Sequence, residues 1–472
     1  MTTDTLQPAT GTNRTVVHTT AILVIILISY FMLILDNSIV FTGLPTIQRE
    51  MHFTQTQLTW VQDAYTLTFG GALLLGARAG DIVGRRRMFI IGLVVFTVAS
   101  GLVGASPTGW WMIAARAAQG IGSAILAPTS LSLITSTFTD RDERSRAVAL
   151  YSAVAGIGAS LGMVVGGVTA DLVSWRAGFF LNLPIGAVMI VLGVRYLVET
   201  RRAPGRFDVV GALTATIGVG ALIFGVIESS TRGWASPVTL TAVIVGLVLL
   251  ALLVVNEWRA EQPIMPLRLF RSPIRSSAYA IRFLYLGAMM GFFFFTTQFL
   301  QEVFGWTPLQ AGLGFLPMSV VNFAVAVSVP RLLRRVPAAW VLVAGAVLTA
   351  IGMWWLAQVH VDSSFTTGVA LPMVLIGGGQ GLVFAPLTSF GIHGATASDA
   401  GAASGLVNTA HQLGSSLGLA VLVAVATTAT AGSDAAAVVA RTDTALTIAT
   451  VFLVASAVIA VVVLPRADVR ER

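Results

Sequence analysis

Residues 77–87 read ARAGDIVGRRR, and this stretch decides how the rest of the chain is organised. It is short and charged, is punctuated by Gly80 and Gly84, and lies between two long apolar runs. Asp81 stands at the start of the turn, and Arg85, Arg86 and Arg87 stand where a chain leaves lipid. The reading is a loop on the cytoplasmic side, because positive charge gathers in the short loops facing that compartment.

Composition supports a membrane setting. The chain has 472 residues, 56% hydrophobic and 10% charged, against roughly 25% charged in a soluble protein. That leaves too few polar side chains to cover a water-facing surface, so the solvent is largely lipid. A spanning helix needs ~20 apolar residues. Candidate runs are 20–46, 58–78, 88–106, 108–136, 146–171 and 176–198, then 209–228 and 238–258, then 276–302, 309–332, 338–358, 366–389, 401–429 and 444–464. The expectation is an all-α membrane protein with 14 transmembrane helices.

All 28 basic residues are arginine. With the amino terminus inside, most fall on the cytoplasmic side, among them Arg78, Arg85–Arg87, Arg141, Arg144, Arg146, Arg201, Arg202, Arg206, Arg268, Arg271, Arg275, Arg331, Arg334 and Arg335. Arg49, Arg176, Arg232 and Arg441 fall outside, and Arg116 and Arg282 lie within apolar runs. This asymmetry predicts a multi-pass protein with both termini in the cytoplasm.

Several function classes are excluded or left without support. Cysteine is absent, which removes disulfide frameworks and thiolate metal sites. The five histidines are scattered, so no metal site and no cofactor is expected. There is no phosphate-cradling G-x-x-x-x-G-K-[ST] stretch, hence no sign of an ATP-driven engine. The net charge of +7 is spread over loops, a topology signal rather than a nucleic-acid surface. No Ser/His/Asp constellation supports an enzyme. No cytoplasmic segment is long enough for the output domain of a sensor or scaffold. Residues 1–19 read as a disordered cytoplasmic tail, because the first apolar run begins too late and is too long for a signal peptide.

An internal repeat is present. Gly158-Ala-Ser-Leu-Gly162 matches Gly414-Ser-Ser-Leu-Gly418, and Ala127-Pro128 recurs as Ala385-Pro386, each pair after a glycine-rich run. Both matches step over eight helices, so the copies run the same way through the membrane. This predicts two parallel six-helix bundles, 20–198 and 276–464, with a linker at 199–275 carrying two inserted helices and a cytoplasmic tail at 465–472.

Ionisable and polar residues inside the apolar runs are the candidate site. Asp36, in LILDNSIVF, needs a partner or a proton at the middle of a membrane. Asp63, in WVQDAYTL, titrates, attracts a cation, or is a solvated residue at the outer rim. Arg116 stays charged and so must face a carboxylate, carbonyls or water. An arginine beside a titrating aspartate ties protonation to conformation. Gly158, Gly162 and Gly166 share a helix face that lets a backbone approach closely, and with Gly167 they predict a sliding seam against Gly405, Gly414 and Gly418 of helix 13. Gln119, Gln298, Asn322 and His411 are candidate cavity residues, with Glu302 at the outer rim. The block Phe292–Phe295 lines a pocket or faces lipid. Asp81 is placed to dock at the amino-terminal end of helix 13, near Gly401 to Ser404, as a breakable lock with Gly80, Gly84, Arg85 and Arg86.

These stretches resemble the major facilitator superfamily over residues 20–464, and within it the fourteen-helix drug:proton antiporter branch. Ala77, Ala79, Asp81, Gly84, Arg85 and Arg86 resemble its G-x-L-x-D-x-x-G-R-[KR] motif. Asp36 to Pro45, DNSIVFTGLP, resembles the helix 1 motif, with Phe41 where Asn is usual. Arg116, Gln119, Gly120 and Gly122 match R-x-x-Q-G-x-G, which the family assigns to proton coupling. Gly158 to Gly167 resembles the antiporter motif with Met163 in place of Pro, and Trp175, Arg176, Phe180, Asn182 and Pro184-Ile185-Gly186 resemble a further signature. The resemblance implies a monomer in a bacterial plasma membrane. It implies a proton-coupled multidrug or antibiotic exporter working by alternating access on small hydrophobic or cationic compounds. Asp36, Asp63 and Arg116 would couple protons. A proton-coupled importer of the same superfamily is the alternative.

Overall fold

The computed structural model describes residues 19–138, 140–199, 208–260, 263, 265–396, 399–429, 432 and 434–465. The expected tails, apart from Thr19 and Pro465, and Arg201, Arg202 and Arg206 lie outside the described residues. The first helices are α1 (Thr19–Met51), α2 (Gln55–Val83), α3 (Arg85–Gly104), α4 (Gly109–Thr137), α5 (Arg141–Leu172), α6 (Trp175–Phe180), α7 (Asn182–Tyr196), α8 (Val209–Arg232) and α9 (Pro237–Arg259). A 3-10 turn, Leu267–Arg271, leads into α10 (Pro273–Gln298), which a π turn extends over Phe299–Val303. Then come α11 (Pro308–Gly314), α12 (Leu316–Leu332) and α13 (Ala338–Ala357). A second π turn, Phe365–Ala370, runs into α14 (Leu371–Ile392), followed by α15 (Ala400–Ala429) and α16 (Ala435–Val463).

Among the described residues, 12 segments are long and apolar enough to cross a membrane, by length and composition. They include the joined pairs Trp175–Tyr196 and Pro308–Leu332. The expected fourteen reduce to twelve by this criterion, because α2 and α5 fall outside it. At 29 and 32 residues they are long enough; α2 carries Asp63, Arg78 and Asp81, and of α5 the stretch Leu161–Leu172 counts as a shorter apolar helix among the described residues. Large apolar side chains point outward on α9, where Leu247, Val248 and Leu252 are exposed, while Asp36, Asp63 and Arg116 are fully buried. This inversion of a soluble protein's surface suits a chain solvated by hydrocarbon.

The stretch quoted first is not a loop. Ala77 to Val83 form the last turns of α2, and α3 begins at Arg85, so one residue, Gly84, makes the whole break. Its φ of +119° is open to glycine and strained for any other residue. Glu199 supplies what the start of α3 lacks. Its carboxylate accepts the backbone N–H groups of Arg86 at 3.1 Å and Arg87 at 3.2 Å, satisfying two orphan donors at the positive end of the helix dipole. Charge density suggested a loop. It marks instead the end of one helix and the start of the next.

The packing partners repeat along the chain. α1 packs on α5, α2 on α4, α4 on α3 and α3 on α7; later, α10 packs on α15, α12 on α14, α14 on α13 and α13 on α16. α8 and α9 pair with each other, and α8 leans on α15 and α2. The early and late sets meet mainly through α2 with α15 and α5 with α11.

The glycine faces correct an expectation. A methyl group added at Gly158, Gly162 or Gly166 would meet Ile34, Ser38 or Thr42, all on α1. At Gly414 and Gly418 it would meet the backbone of Phe283 and Gly287 on α10, and at Gly405 the side chain of Leu74 on α2. The small faces therefore press α5 onto α1 and α15 onto α10, and among the described residues α5 and α15 do not form the predicted seam. Matching sequences produced matching neighbours within each set, not mutual contact. Gly167 alone of this group reaches the late set, against Pro308 and Leu309 of α11, where Gly312 in turn abuts the Met163 carbonyl.

Candidate functional site

Arg116 and Gln119 lie one turn apart on α4, so they project to the same side. Both are fully buried and both reach Asp36 of α1. Arg116 Nη1 donates to Asp36 Oδ2 at 2.7 Å and to Gln119 Oε1 at 2.6 Å. Gln119 Nε2 donates to Asp36 Oδ1 at 2.8 Å and to Ser100 Oγ of α3 at 2.6 Å. Asn182, the first residue of α7, donates to the same Oδ1 at 2.8 Å and to Ser100 Oγ at 3.2 Å. Arg116 Nε donates to the Val61 carbonyl of α2 at 2.9 Å. The guanidinium lies 4.3 Å from the centroid of the Tyr65 ring, a favourable face for a cation.

One carboxylate thus joins α1, α4 and α7, the two amides that grip it add α3 through Ser100, and one arginine adds α2. The charges of Asp36 and Arg116 cancel, which is the condition on which a buried pair is tolerated; removing one partner strands the other at a cost of about 3–5 kcal/mol. Arg116 Nη2 and Asn182 Oδ1 are buried without a hydrogen-bond partner. The chemical capacity is a switch. A proton on Asp36 removes the anion that holds Arg116, and the tie between the helices loosens.

Asp63 is not at a rim. It is fully buried in α2, two residues from Val61, and its Oδ1 accepts from Ser416 Oγ of α15 at 3.0 Å. Its Oδ2 has no partner among the described residues. Asp63 therefore links the early and late sets through a neutral hydroxyl.

The expected lock forms differently. Asp81 is held by Arg85, at 3.1 Å from Nη2 and 3.3 Å from Nε, rather than by the start of α15. The two lie four residues apart across the kink. Arg85 also donates to the Ser132 carbonyl of α4 at 3.2 Å. Gly80 abuts Thr129 of α4, and Arg86 donates to the Val194 carbonyl of α7. At the start of α15 the acidic residue is Asp399, held by Arg268 Nη2 at 2.6 Å and Nε at 3.1 Å. These bonds keep the Asp399 carboxyl below its ordinary value.

The four cavity candidates do not converge. Gln119 belongs to the Asp36 network. Gln298 is buried in the seam at the end opposite Arg85–Arg87, accepting from Gln55 of α2, while Gln301 donates to the Thr42 carbonyl of α1 at 2.9 Å. Glu302, expected at the rim, is exposed in the π turn beside them. Asn322 is partly buried on α12, where its backbone carbonyl faces Gly381 of α14. His411 stands in a second polar cluster, beside Arg282. In the aromatic block, Phe292, Phe294 and Phe295 are buried within the protein rather than in lipid.

That second cluster escaped the sequence reading. Arg282 of α10 is 7% exposed. Its Nη1 donates to Thr388 Oγ1 of α14 at 3.1 Å, Nη2 lies 3.4 Å from His411 Nδ1 of α15, and the guanidinium sits 4.9 Å from the Phe384 ring centroid. Its signal was present as an arginine inside an apolar run. Ser100 and Tyr65 carried no signal of their own. Asn182 was visible only as part of a family signature. No group of three or more metal-ligating side chains occurs among the described residues.

The family model described as Major Facilitator Superfamily matches residues 26–419. The cephamycin export protein of Amycolatopsis lactamdurans is 39% identical over 90% of this chain and 88% of its own length. The puromycin resistance protein of Streptomyces alboniger is 35% identical over 92% and 88%. The methylenomycin A resistance protein of Streptomyces coelicolor is 32% identical over 83% and 82%. Among solved structures, a POT family transporter in complex with a thioalcohol-conjugated peptide superposes with a TM-score of 0.68 at 13% identity, covering 94% of this chain and 96% of that one. A bacterial homologue of the lysosomal transporter Spinster gives 0.66 at 14%, covering 95% and 97%. At such identities these two speak for the fold alone.

Proposed function

The chain belongs to the major facilitator superfamily, and from that premise we propose that it is a proton-coupled exporter of antibiotics or related small, largely apolar compounds. The relatives named for cephamycin export and for puromycin and methylenomycin resistance support the export reading. The observation that carries the coupling is the buried Asp36–Arg116 pair with Gln119 and Asn182 bound to the same carboxylate.

In this reading the chain crosses a bacterial plasma membrane fourteen times, α2 and α5 included, with both termini in the cytoplasm. The early and late sets rock against each other about a central binding site. A proton entering from outside neutralises Asp36 and frees Arg116 from α1. Asp63, bonded to Ser416, passes the change to α15. The kink at Gly84, with Asp81, Arg85 and Arg86, ties α2, α3, α4 and α7 together at the cytoplasmic end, so that the early set moves as one body.

The test is export from membrane vesicles under an imposed pH gradient, using a cephamycin and puromycin as cargo. Wild type moves cargo against the inward flow of protons. Asp36→Asn abolishes gradient-driven export, as removal of an obligatory proton carrier requires, and keeps exchange of labelled for unlabelled cargo. Export indifferent to the gradient, or unchanged in Asp36→Asn, refutes the coupling. Cargo moving in the same direction as protons establishes import instead.

A further inference from the structure

Arg282 is a charge that the described part of the chain does not balance. Burying a guanidinium is costly unless a counter-charge accompanies it, and Arg116 has one. The groups around Arg282 are all neutral hydrogen-bonding or aromatic partners: the Thr388 hydroxyl, His411 Nδ1, the Phe384 face, and Tyr30 of α1 within electrostatic range. No described carboxylate forms an ion pair with it, and its Nε has no hydrogen-bond partner. With Nδ1 turned to a guanidinium, His411 acts as an acceptor and is neutral.

The surroundings are reachable. Thr388 is exposed, and Tyr30, Phe384 and His411 are partly exposed. The Phe384 and His411 rings lie nearly parallel, at 28° with centroids 6.3 Å apart, and Tyr30 stacks on Tyr151 at 3.8 Å. These rings offer flat apolar faces near a cation, drawn from both the early and the late helix sets. Arg282 lies nine residues into α10, or ~14 Å along its axis.

We propose that Arg282, with Thr388 and His411, forms a subsite for the carboxylate of an exported apolar acid. The proposal rests on the export reading above and narrows its substrate class to organic anions with a flat or aromatic body. The guanidinium fork is matched to a carboxylate, the hydroxyl and the imidazole orient it, and Phe384 and Tyr30 hold the body. An anionic lipid headgroup offers the same chemistry, and the experiment separates the two sources.

The full chain is placed in phosphatidylcholine nanodiscs, and binding of radiolabelled naphthalene-1-acetate and its neutral amide is measured at neutral pH. The acid binds more tightly than the amide by about tenfold or more, as hydrogen bonds to a charged partner imply. Arg282→Gln removes that preference by weakening the acid alone, and Arg282→Lys, which keeps the charge, retains part of it. Unchanged amide binding in both variants shows that they fold. Equal affinities in wild type, binding of neither ligand, or equal loss of both in Arg282→Gln overturns the proposal. So does displacement of the acid by equimolar phosphatidylglycerol, which would assign the subsite to lipid. Binding is read without a gradient, so failure of proton-driven export and failure of this subsite are separate results.

Discussion

Arg116 and Arg282 are both arginines buried inside helices, and they are held in opposite ways. Arg116 faces a carboxylate that two amides also grip, and its charge is cancelled within the early helix set. Arg282, on the late set, faces a hydroxyl, an imidazole and an aromatic face, none of them negative. The two sets share a packing plan, α1 on α5 and α10 on α15, yet their electrostatics differ. A balanced charge can work as an internal switch, because a proton is enough to break it. On the proposals above, an unbalanced one is completed by the cargo it receives, and the two helix sets carry two jobs.

The largest expected effect tests that contrast through stability. Arg116→Gln leaves Asp36 buried without its cation and lowers unfolding free energy by about 3–5 kcal/mol. Arg282→Gln strands no carboxylate, so its loss stays within the ~1 kcal/mol of an ordinary hydrogen bond. The double variant Asp36→Asn/Arg116→Gln recovers most of the first loss. Thermal unfolding midpoints in detergent measure all three. Equal losses for the two arginines would erase the distinction between the halves.

A smaller effect compares the two glycine seams. At Gly418 an added methyl runs into the Gly287 backbone of α10, and at Gly158 it meets the Ile34 side chain at 3.0 Å. Backbone yields less readily than a side-chain tip. Gly418→Ala is expected to cost about 1–3 kcal/mol, in the range of overpacked interiors, and Gly158→Ala less than about 1 kcal/mol. The same melting series checks the order, and the reverse order would show that the α1–α5 seam is the tighter one.

Much of the architecture was legible because lipid imposes a simple rule: long apolar runs become helices. The repeat was legible too, since GASLG and GSSLG do occupy equivalent seams. What those seams touch was not, because a small-residue face says that something comes close and not which helix it is. The count of spans was blurred at α2, whose Asp63 turns inward and whose last turns carry Arg78 and Asp81. At the site, Asp36, Arg116 and Gln119 could be read from the cost of burying charge. Asn182 and Ser100 could not, since polar uncharged residues are common in such helices and only the fold brings these two to Asp36. Arg282 shows the same limit from the other side. Its burial was readable, and its lack of a described counter-charge needed every neighbouring helix.

The smallest effect lies where both sets end at the arginine-rich face. There the early set joins Asp81 to Arg85, with side chains 40% and 28% exposed, and the late set joins Asp399 to Arg268, with side chains 12% and 58% exposed. Water screens such pairs, so breaking the late one with Arg268→Gln costs at most about 1 kcal/mol. Its pH dependence is the sharper signature. The hydrogen bonds from Arg268 hold the Asp399 carboxyl below its ordinary value of 3.8. A carboxyl lowered by folding contributes stability that is complete above the unfolded value and is lost as pH falls through the folded one. The melting difference between wild type and Arg268→Gln should therefore stay constant from neutral pH to about 5 and shrink below about 4. A difference that persists unchanged into acid would mean that Arg268 serves by packing rather than by charge, and the late set's end would then be held without an ionic tie.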